Sequence, residues 1–315
     1  MSRRMRLFIA LLFATLAFYT LTIPLSPVHS QGETPTQTYL IAAGDALALT
    51  EALAGANHAA EFGDVATVIY LEGGTYTFAL PGSPSQPILP TVRGNLTLYG
   101  NNATLLFRYL ETPLYPGITP IIIMPQGDLT IHHATLRVME GNGRAITNYG
   151  ALHILDAVID TGDPTAAEGG IINEGELLIS RTTFAHHRQR SAAAVGGAIY
   201  NVGQMSITCG RFLNNRASQG GAIYNAEGGT AAIHESYFEG NYGNGGGAVF
   251  NGAESPLDAS GNWWGADGVP EVNETTFVAD AVSTSVTFMP AAVSDPTQTS
   301  GCASPPPQTP PIPAT

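Results

Sequence analysis

Between residues 96 and 264, apolar and polar positions alternate for only three to five residues before a Gly or an Asn interrupts them. Alternation with a period of two predicts strands, and interruptions this frequent predict very short ones. One word recurs almost unchanged: Gly196-Gly197-Ala198-Ile199-Tyr200-Asn201, then Gly220-Gly221-Ala222-Ile223-Tyr224-Asn225, then Gly246-Gly247-Ala248-Val249-Phe250-Asn251. Weaker copies, Arg144-Ala145-Ile146-Thr147-Asn148 and Gly169-Gly170-Ile171-Ile172-Asn173, come before it. A second word, apolar-x-apolar-x-x-small-x-apolar, has its middle apolar residue at Leu98, Ile131, Ile154, Ile179, Ile207, Ile233 and Ala259. Two independent columns with one period define a repeat.

A unit of this size holding three short strands cannot bury its apolar side alone. If each unit is one turn of a coil, every strand pairs in parallel with its equivalent about 4.8 Å away, and the inward Ile, Leu and Phe line one core. The expected fold is therefore all-β, a right-handed parallel β-helix of about seven coils of about 25 residues with three short strands each. A leucine-rich repeat has a similar period, but its spaced Leu and Asn word is missing. The expected organisation is an export signal over 1–30, a linker over 31–44, a cap helix and entry strands over 45–95, the β-helix over 96–265, a C-terminal cap over 266–295 and a Pro-rich disordered tail over 296–315. Asp45 can N-cap a helix that puts Leu49, Leu53, Ala56 and Ala60 on one face, which would close the first coil. Pro113, Pro116 and Pro120 mark an excursion over 108–124 where a binding surface could sit.

The Gly-Gly-Ala-Ile-Tyr-Asn words, with Phe212-x-x-Asn215 and Phe238-x-x-Asn241, resemble the repeats of the chlamydial polymorphic outer-membrane proteins. More broadly they resemble exported bacterial β-helices of the pectate-lyase-like class. Asn262-Trp263-Trp264-Gly265 is similar to the word that closes such domains. The resemblance implies the fold and an extracytoplasmic address, and it names no activity. Glycosidases of this class carry a paired-Asp word and a Gly-His-Gly word with a nearby Arg-x-Lys, and none of these occurs in this sequence.

Composition narrows the function. Charged residues make up 12%, and Gly (36) and Pro (22) are abundant, which disfavours helical bundles. All twelve basic residues are Arg, and the formal net charge of -13 without a basic run argues against nucleic acid as a partner. Arg3, Arg4 and Arg6, the uncharged stretch Leu7 to Ile23 and a cut after Val28-His29-Ser30 read as a cleaved export signal. The mature chain then holds 9 Arg against 25 acidic residues, net -16, with no transmembrane segment, and is expected to be secreted or displayed at the cell surface as a monomer. Cys209 and Cys302 could form one disulfide there or remain thiols.

Candidate chemistry is sparse. Asn148, Asn173, Asn201, Asn225 and Asn251 are expected to form a structural ladder of stacked amides. Tyr200, Tyr224 and Phe250 should point outward from adjacent rungs, as a sugar-stacking platform or as a ladder packed on itself, and Trp263 and Trp264 offer a further carbohydrate platform or an end cap. Asp156, Asp160 and Arg181 are the catalytic candidates, since a lyase needs a base and a cation that holds the substrate carboxylate. Their alternative role is charge pairing at a corner, in the column His133, Asp156, Arg181, Cys209, Glu235. Arg137 with Asp160 is a second such pair. His132-His133, His153, His186-His187 and His234 match no zinc spacing, so no metal site is assigned. Asp160, Asp163 and Glu168 could hold Ca²⁺ as the only cofactor. The leading expectation is a non-catalytic, adhesin-like scaffold that binds glycans or surface components, with a polysaccharide lyase or glycosidase as the alternative.

Overall fold

The computed structural model describes residues 36–63, 65–80, 88–109, 119–139, 144–161, 169–189, 194–265 and 269–308. The expected signal, the 110–118 part of the loop, Asp163 with Glu168, and residues 309–315 lie outside them.

The repeat words fold as a parallel β-solenoid of about eight turns. Each turn presents three faces. The Leu-x-Ile words stack as a first face, with Ala151–Leu155, Glu176–Ser180, Gln204–Thr208 and Thr230–His234 in unbroken parallel register. The second face stacks Val158–Asp160, Thr183–Ala185, Arg211–Leu213, Tyr237–Glu239 and Trp263–Trp264. The third runs through Ile121–Ile123, Arg144–Asn148, Gly169–Asn173, Ile199–Asn201, Ile223–Asn225 and Val249–Asn251. In the early turns the strands Asn95–Tyr109 and Asp128–Met139 run through the first corner and serve both faces. The eighth turn comes from Ala66–Leu71 and Thr75–Leu80, which the sequence pattern assigns to an entry segment but which pair with Asn95–Tyr109 as an ordinary rung.

The interior is a column of stacked like residues. Ile154, Ile179, Ile207 and Ile233 are buried in sequence, and Phe184, Phe212, Phe238 and Trp264 stack ring on ring at 5.2, 4.9 and 4.6 Å. The Asn column is buried beside them, each amide donating to the next: Asn148 to Asn173, Asn173 to Asn201 and Asn201 to Asn225 at 2.7 Å, and Asn225 to Asn251 at 2.8 Å. The ladder ends at Asn251, whose side-chain amide donates to the carbonyls of Ser255 at 2.9 Å and Ser285 at 3.2 Å in place of a further Asn. Gly203 follows this column because a Cβ there would lie 2.1 Å from the Gly175 carbonyl oxygen one rung away.

The ends are closed. Helix Ala46–Phe62 is N-capped by the Asp45 carboxylate, which accepts from the Ala48 N–H at 2.9 Å, and it buries Leu49, Ala52, Leu53 and Ala56 over the first coil. Thr36–Ile41, read as linker, is a strand parallel to Ala66–Leu71. Only Ile41 of that strand is buried, so its alternation carries little apolar signal. At the far end Phe277–Ala279 pairs antiparallel with Tyr242–Asn244, and Val286–Thr287 extends the first face.

The tail departs from expectation. Residues 296–308, expected to be free, lie along the body with short 3₁₀ turns at Pro296–Gln298 and Ser300–Cys302. Its Pro content marks an extended chain, and what holds that chain down is the Cys209–Cys302 disulfide, one of the two states left open for these cysteines, together with single polar residues that composition does not reveal.

Candidate functional site

The corner between the first and second faces carries the column of charged candidates. His133, Asp156, Arg181, Cys209 and Glu235 each turn the chain with a left-handed backbone, φ between 48° and 59°. One such residue per rung changes the strand direction, and the side chains form a row at the rung spacing of about 4.8 Å. Within the row Arg181 grips Asp156 through two parallel bonds, Nε to Oδ1 at 2.7 Å and Nη2 to Oδ2 at 3.1 Å. Burial acts to raise the Asp156 pKa, but the hydrogen bonds from Arg181 and Ser304 and the Arg181 charge outweigh it and hold the carboxyl below its ordinary value. The Asp156 side chain is only 2% exposed. This carboxylate is ionised, paired and covered.

The cover is the C-terminal segment, a strap along the row. Cys302 is disulfide-bonded to Cys209, with Cα atoms 5.5 Å apart. The Ser304 hydroxyl donates to Asp156 Oδ1 at 2.5 Å, and the Pro305 carbonyl oxygen faces His133 Nε2 at 2.9 Å. Upstream, Asp295 Oδ2 and Thr297 Oγ1 meet Arg211 Nη1 at 2.7 and 2.5 Å. The guanidinium of Arg211 in turn lies 4.4 Å from the centre of the Tyr237 ring.

Asp160 does not join Asp156 and Arg181. It sits at the end of the second face, where Arg137 Nη2 reaches Oδ2 at 3.0 Å and His186 Nδ1 reaches Oδ1 at 3.1 Å. His186 turns the second corner with φ 61°, followed by a wholly buried His187 whose Nε2 faces the Ile159 carbonyl at 3.0 Å. Burial pushes the His187 pKa down to about 4, so this ring is neutral at pH 7. The His186–Asp160 contact joins residues 26 apart, one period, and only knowledge of the register reveals it.

The aromatic candidates divide. Tyr200, Tyr224 and Phe250 point outward as expected, but they stack on one another at 5.8 and 5.2 Å, so their ring faces are taken by each other and a sugar would meet mainly edges. Trp264 is 2% exposed and ends the inner aromatic stack, whereas Trp263 faces out beside Tyr237, partly buried. A second outward ladder on the first face, Tyr70–Tyr99–His132 at 5.0 and 4.8 Å, has no repeat word to announce it.

Among the described residues, Cys209, Glu235 and Cys302 are the one gathering of three ligand-type side chains, all within 4.8 Å. Both sulfurs are committed to the disulfide, so the set offers a single carboxylate to a cation. The Phe-x-x-Asn words build a second buried ladder that sequence reading left unassigned: Asn215 donates to Asn241 Oδ1 at 2.9 Å and Asn241 to Asp280 Oδ1 at 2.8 Å. Burial raises the Asp280 pKa despite the N–H bonds it accepts from Asn241 and Gly240. Arg144, which the sequence shows only as the first residue of a weak repeat word, donates to the carbonyls of Gly196 at 2.6 Å and Val195 at 2.8 Å, and burial lowers its pKa to about 10.

An open groove of about 280 Å³ runs over the first face, lined by Glu176, Leu178, Gln204, Ser206, Thr230 and Ala232. Ala231 and Ala232 stand where the rungs below carry Met205 with Ser206 and Leu177 with Leu178, and the smaller side chains open the floor. Neither a protein family, nor a curated protein, nor a solved structure matches this chain.

Proposed function

We propose that the chain is an exported, non-catalytic parallel β-helix scaffold, adhesin-like, which binds glycans or surface proteins through the open groove of its first face. The observation that carries this reading is the contrast between that groove and the charged corner. The groove offers hydroxyl, amide and aliphatic groups to solvent, while Asp156 and Arg181 are spent on each other and lie under the strap. A shallow, mixed groove with few fixed charges suits a neutral or amphipathic ligand, and a mature charge of -16 repels polyanions. The disulfide fits an oxidising compartment, in line with the export signal and a secreted or surface-displayed monomer. The Gly-Gly-Ala-Ile-Tyr-Asn words support the finer reading, a right-handed helix of the pectate-lyase-like class with repeats like those of polymorphic outer-membrane proteins.

The mature chain should retain ligands on a glycan array, and Leu178→Asp with Ser206→Arg should abolish that retention without lowering the melting temperature. Retention that survives both changes would place the binding elsewhere. One observation favours the second reading, a polysaccharide lyase or glycosidase: Asp160 orients the His186 ring through Nδ1 in the way a general base is held. Release of unsaturated or reducing sugar ends from a polysaccharide panel, lost in His186→Ala, would replace the scaffold reading with the enzymatic one.

A further inference from the structure

The corner row is built as a site, and its occupant is a piece of the same chain. His133 is 7% exposed and the Asp156 side chain 2%, Arg181 is locked in a bidentate pair, and His133 keeps a buried Nδ1 with no partner among the described residues. The strap over them is the opposite. Between residues 300 and 308 only Cys302 is buried, and Ser304, Pro305 and Pro306 are exposed. Ala303, with φ -66° and ψ 127°, begins the extended course that the following prolines maintain. A hydroxyl given to Asp156 and a carbonyl presented to His133 by the next residue are therefore read by the row from an extended Ser-Pro unit, with little apolar area holding it.

We propose that the His133–Asp156–Arg181 row is a recognition site for an extended Ser-Pro segment, and that its alternative occupant is the C-terminal strap of a second copy, fixed by a Cys209–Cys302 disulfide between copies. Two features of the molecule point to a second copy. The strap departs after Ala292, whose N–H is bonded to the Asn262 carbonyl at 2.9 Å, through Val293, 95% exposed, and an exposed Ser294, so this short stretch can serve as the hinge of an outward swing. Exchange would also remake every contact of the closed form with nothing added or lost, the condition for swapping an element between identical chains. Reciprocal exchange would close a two-fold dimer, and one-way donation of the strap would link copies head to tail. The covalent step removes one proton and one electron from each of two thiols, Cys209 of one copy and Cys302 of the other. A disulfide oxidant such as oxidised glutathione accepts them and leaves as two thiols. Within one copy the strap competes at an effective concentration of order millimolar, so the closed form prevails in dilute solution.

Full-length Cys209→Ser and Cys302→Ser variants cannot close their own latch. Mixed in oxidised glutathione and resolved on a non-reducing gel, they should give a one-to-one heterodimer, with peptide mapping placing the bond between Cys302 of the first and Cys209 of the second. Asp156→Asn in the row-bearing copy or Ser304→Ala in the strap-bearing copy should each lower the yield roughly fivefold, the effect of losing one partly solvated hydrogen bond to a carboxylate. Ser304 is on the exposed strap, so its substitution leaves the body folded and decides the case even if Asp156→Asn does not fold. Cross-links joining like cysteines in preference, or a heterodimer yield indifferent to Ser304→Ala, would overturn the proposal. None of these outcomes depends on whether the first face binds glycans.

Discussion

The Cys209–Cys302 bond closes a chain segment with a sequence separation of 93, and that length sets its expected contribution to stability. In the chain-entropy treatment, a cross-link over this many residues removes about 16 cal/mol/K from the unfolded ensemble, or about 4.6 kcal/mol at 25 °C. The other strap contacts are smaller. The Arg211–Asp295 pair, the Ser304–Asp156 bond and the Pro305–His133 contact are partly solvated, and each contributes at most about 1 kcal/mol. Replacing both cysteines by Ser should therefore lower the unfolding free energy by about 4 kcal/mol, whereas Asp295→Ala in the oxidised protein should cost less than about 1 kcal/mol. Guanidinium titration followed by Trp fluorescence measures both, and the slope is informative as well as the midpoint. A larger slope in the double variant is expected, because an unlatched denatured chain expands and exposes more surface. A double variant within about 1 kcal/mol of the parent with an unchanged slope would refute the entropic argument and leave the bond as a local fastening of the strap.

Three further outcomes follow from the interior. Asn201→Ala removes the donor to the buried Asn225 Oδ1, while Asn173 Nδ2 keeps the Gly175 and Gln204 carbonyls, so thermal unfolding should report a loss of roughly 1–3 kcal/mol. Asn201→Asp should fare little better, because a carboxylate cannot donate to the next amide. Phe212→Ala breaks the inner aromatic stack at its middle and should cost about 3–5 kcal/mol in the same assay. His187 is neutral in the folded chain with a pKa lowered to about 4, against about 6.5 unfolded, so its stabilising contribution is complete above pH 6.5 and is lost as pH falls through 4. Acidification over that window should cost about 3 kcal/mol from this residue, and His187→Phe should flatten the pH profile there.

The strand words, the period and the Asn ladder are legible in the sequence because each depends on side chains that repeat. Stacking puts like on like, so Ile over Ile and Asn over Asn leave an imprint at every turn. The signal fades where the solenoid depends on single events. Asp280 ends one ladder, the Ser255 and Ser285 carbonyls take the last amide of the other, and none of the three occurs in a word that could be counted. Trp263 and Trp264 are adjacent and alike in composition, yet strand alternation sends one outward and the other into the stack. Asp156 and Arg181 could be read as neighbours from the period, but their role could not, because the strap that covers them lies more than a hundred residues further along the chain.

The left-handed corner has a consequence for how such a protein can change. At His133, Asp156, Arg181, Cys209 and Glu235 five different side chains share one backbone turn, and none of them belongs to the apolar column inside. Shape and message are thereby uncoupled at this edge. The turn sets where a side chain stands, at a pitch of about 4.8 Å, and leaves open what it is. A charge, a thiol or an imidazole can be rewritten one rung at a time while the coil beneath is conserved, so the edge behaves as a pegboard on which new pairings, latches or partners can be composed from point substitutions.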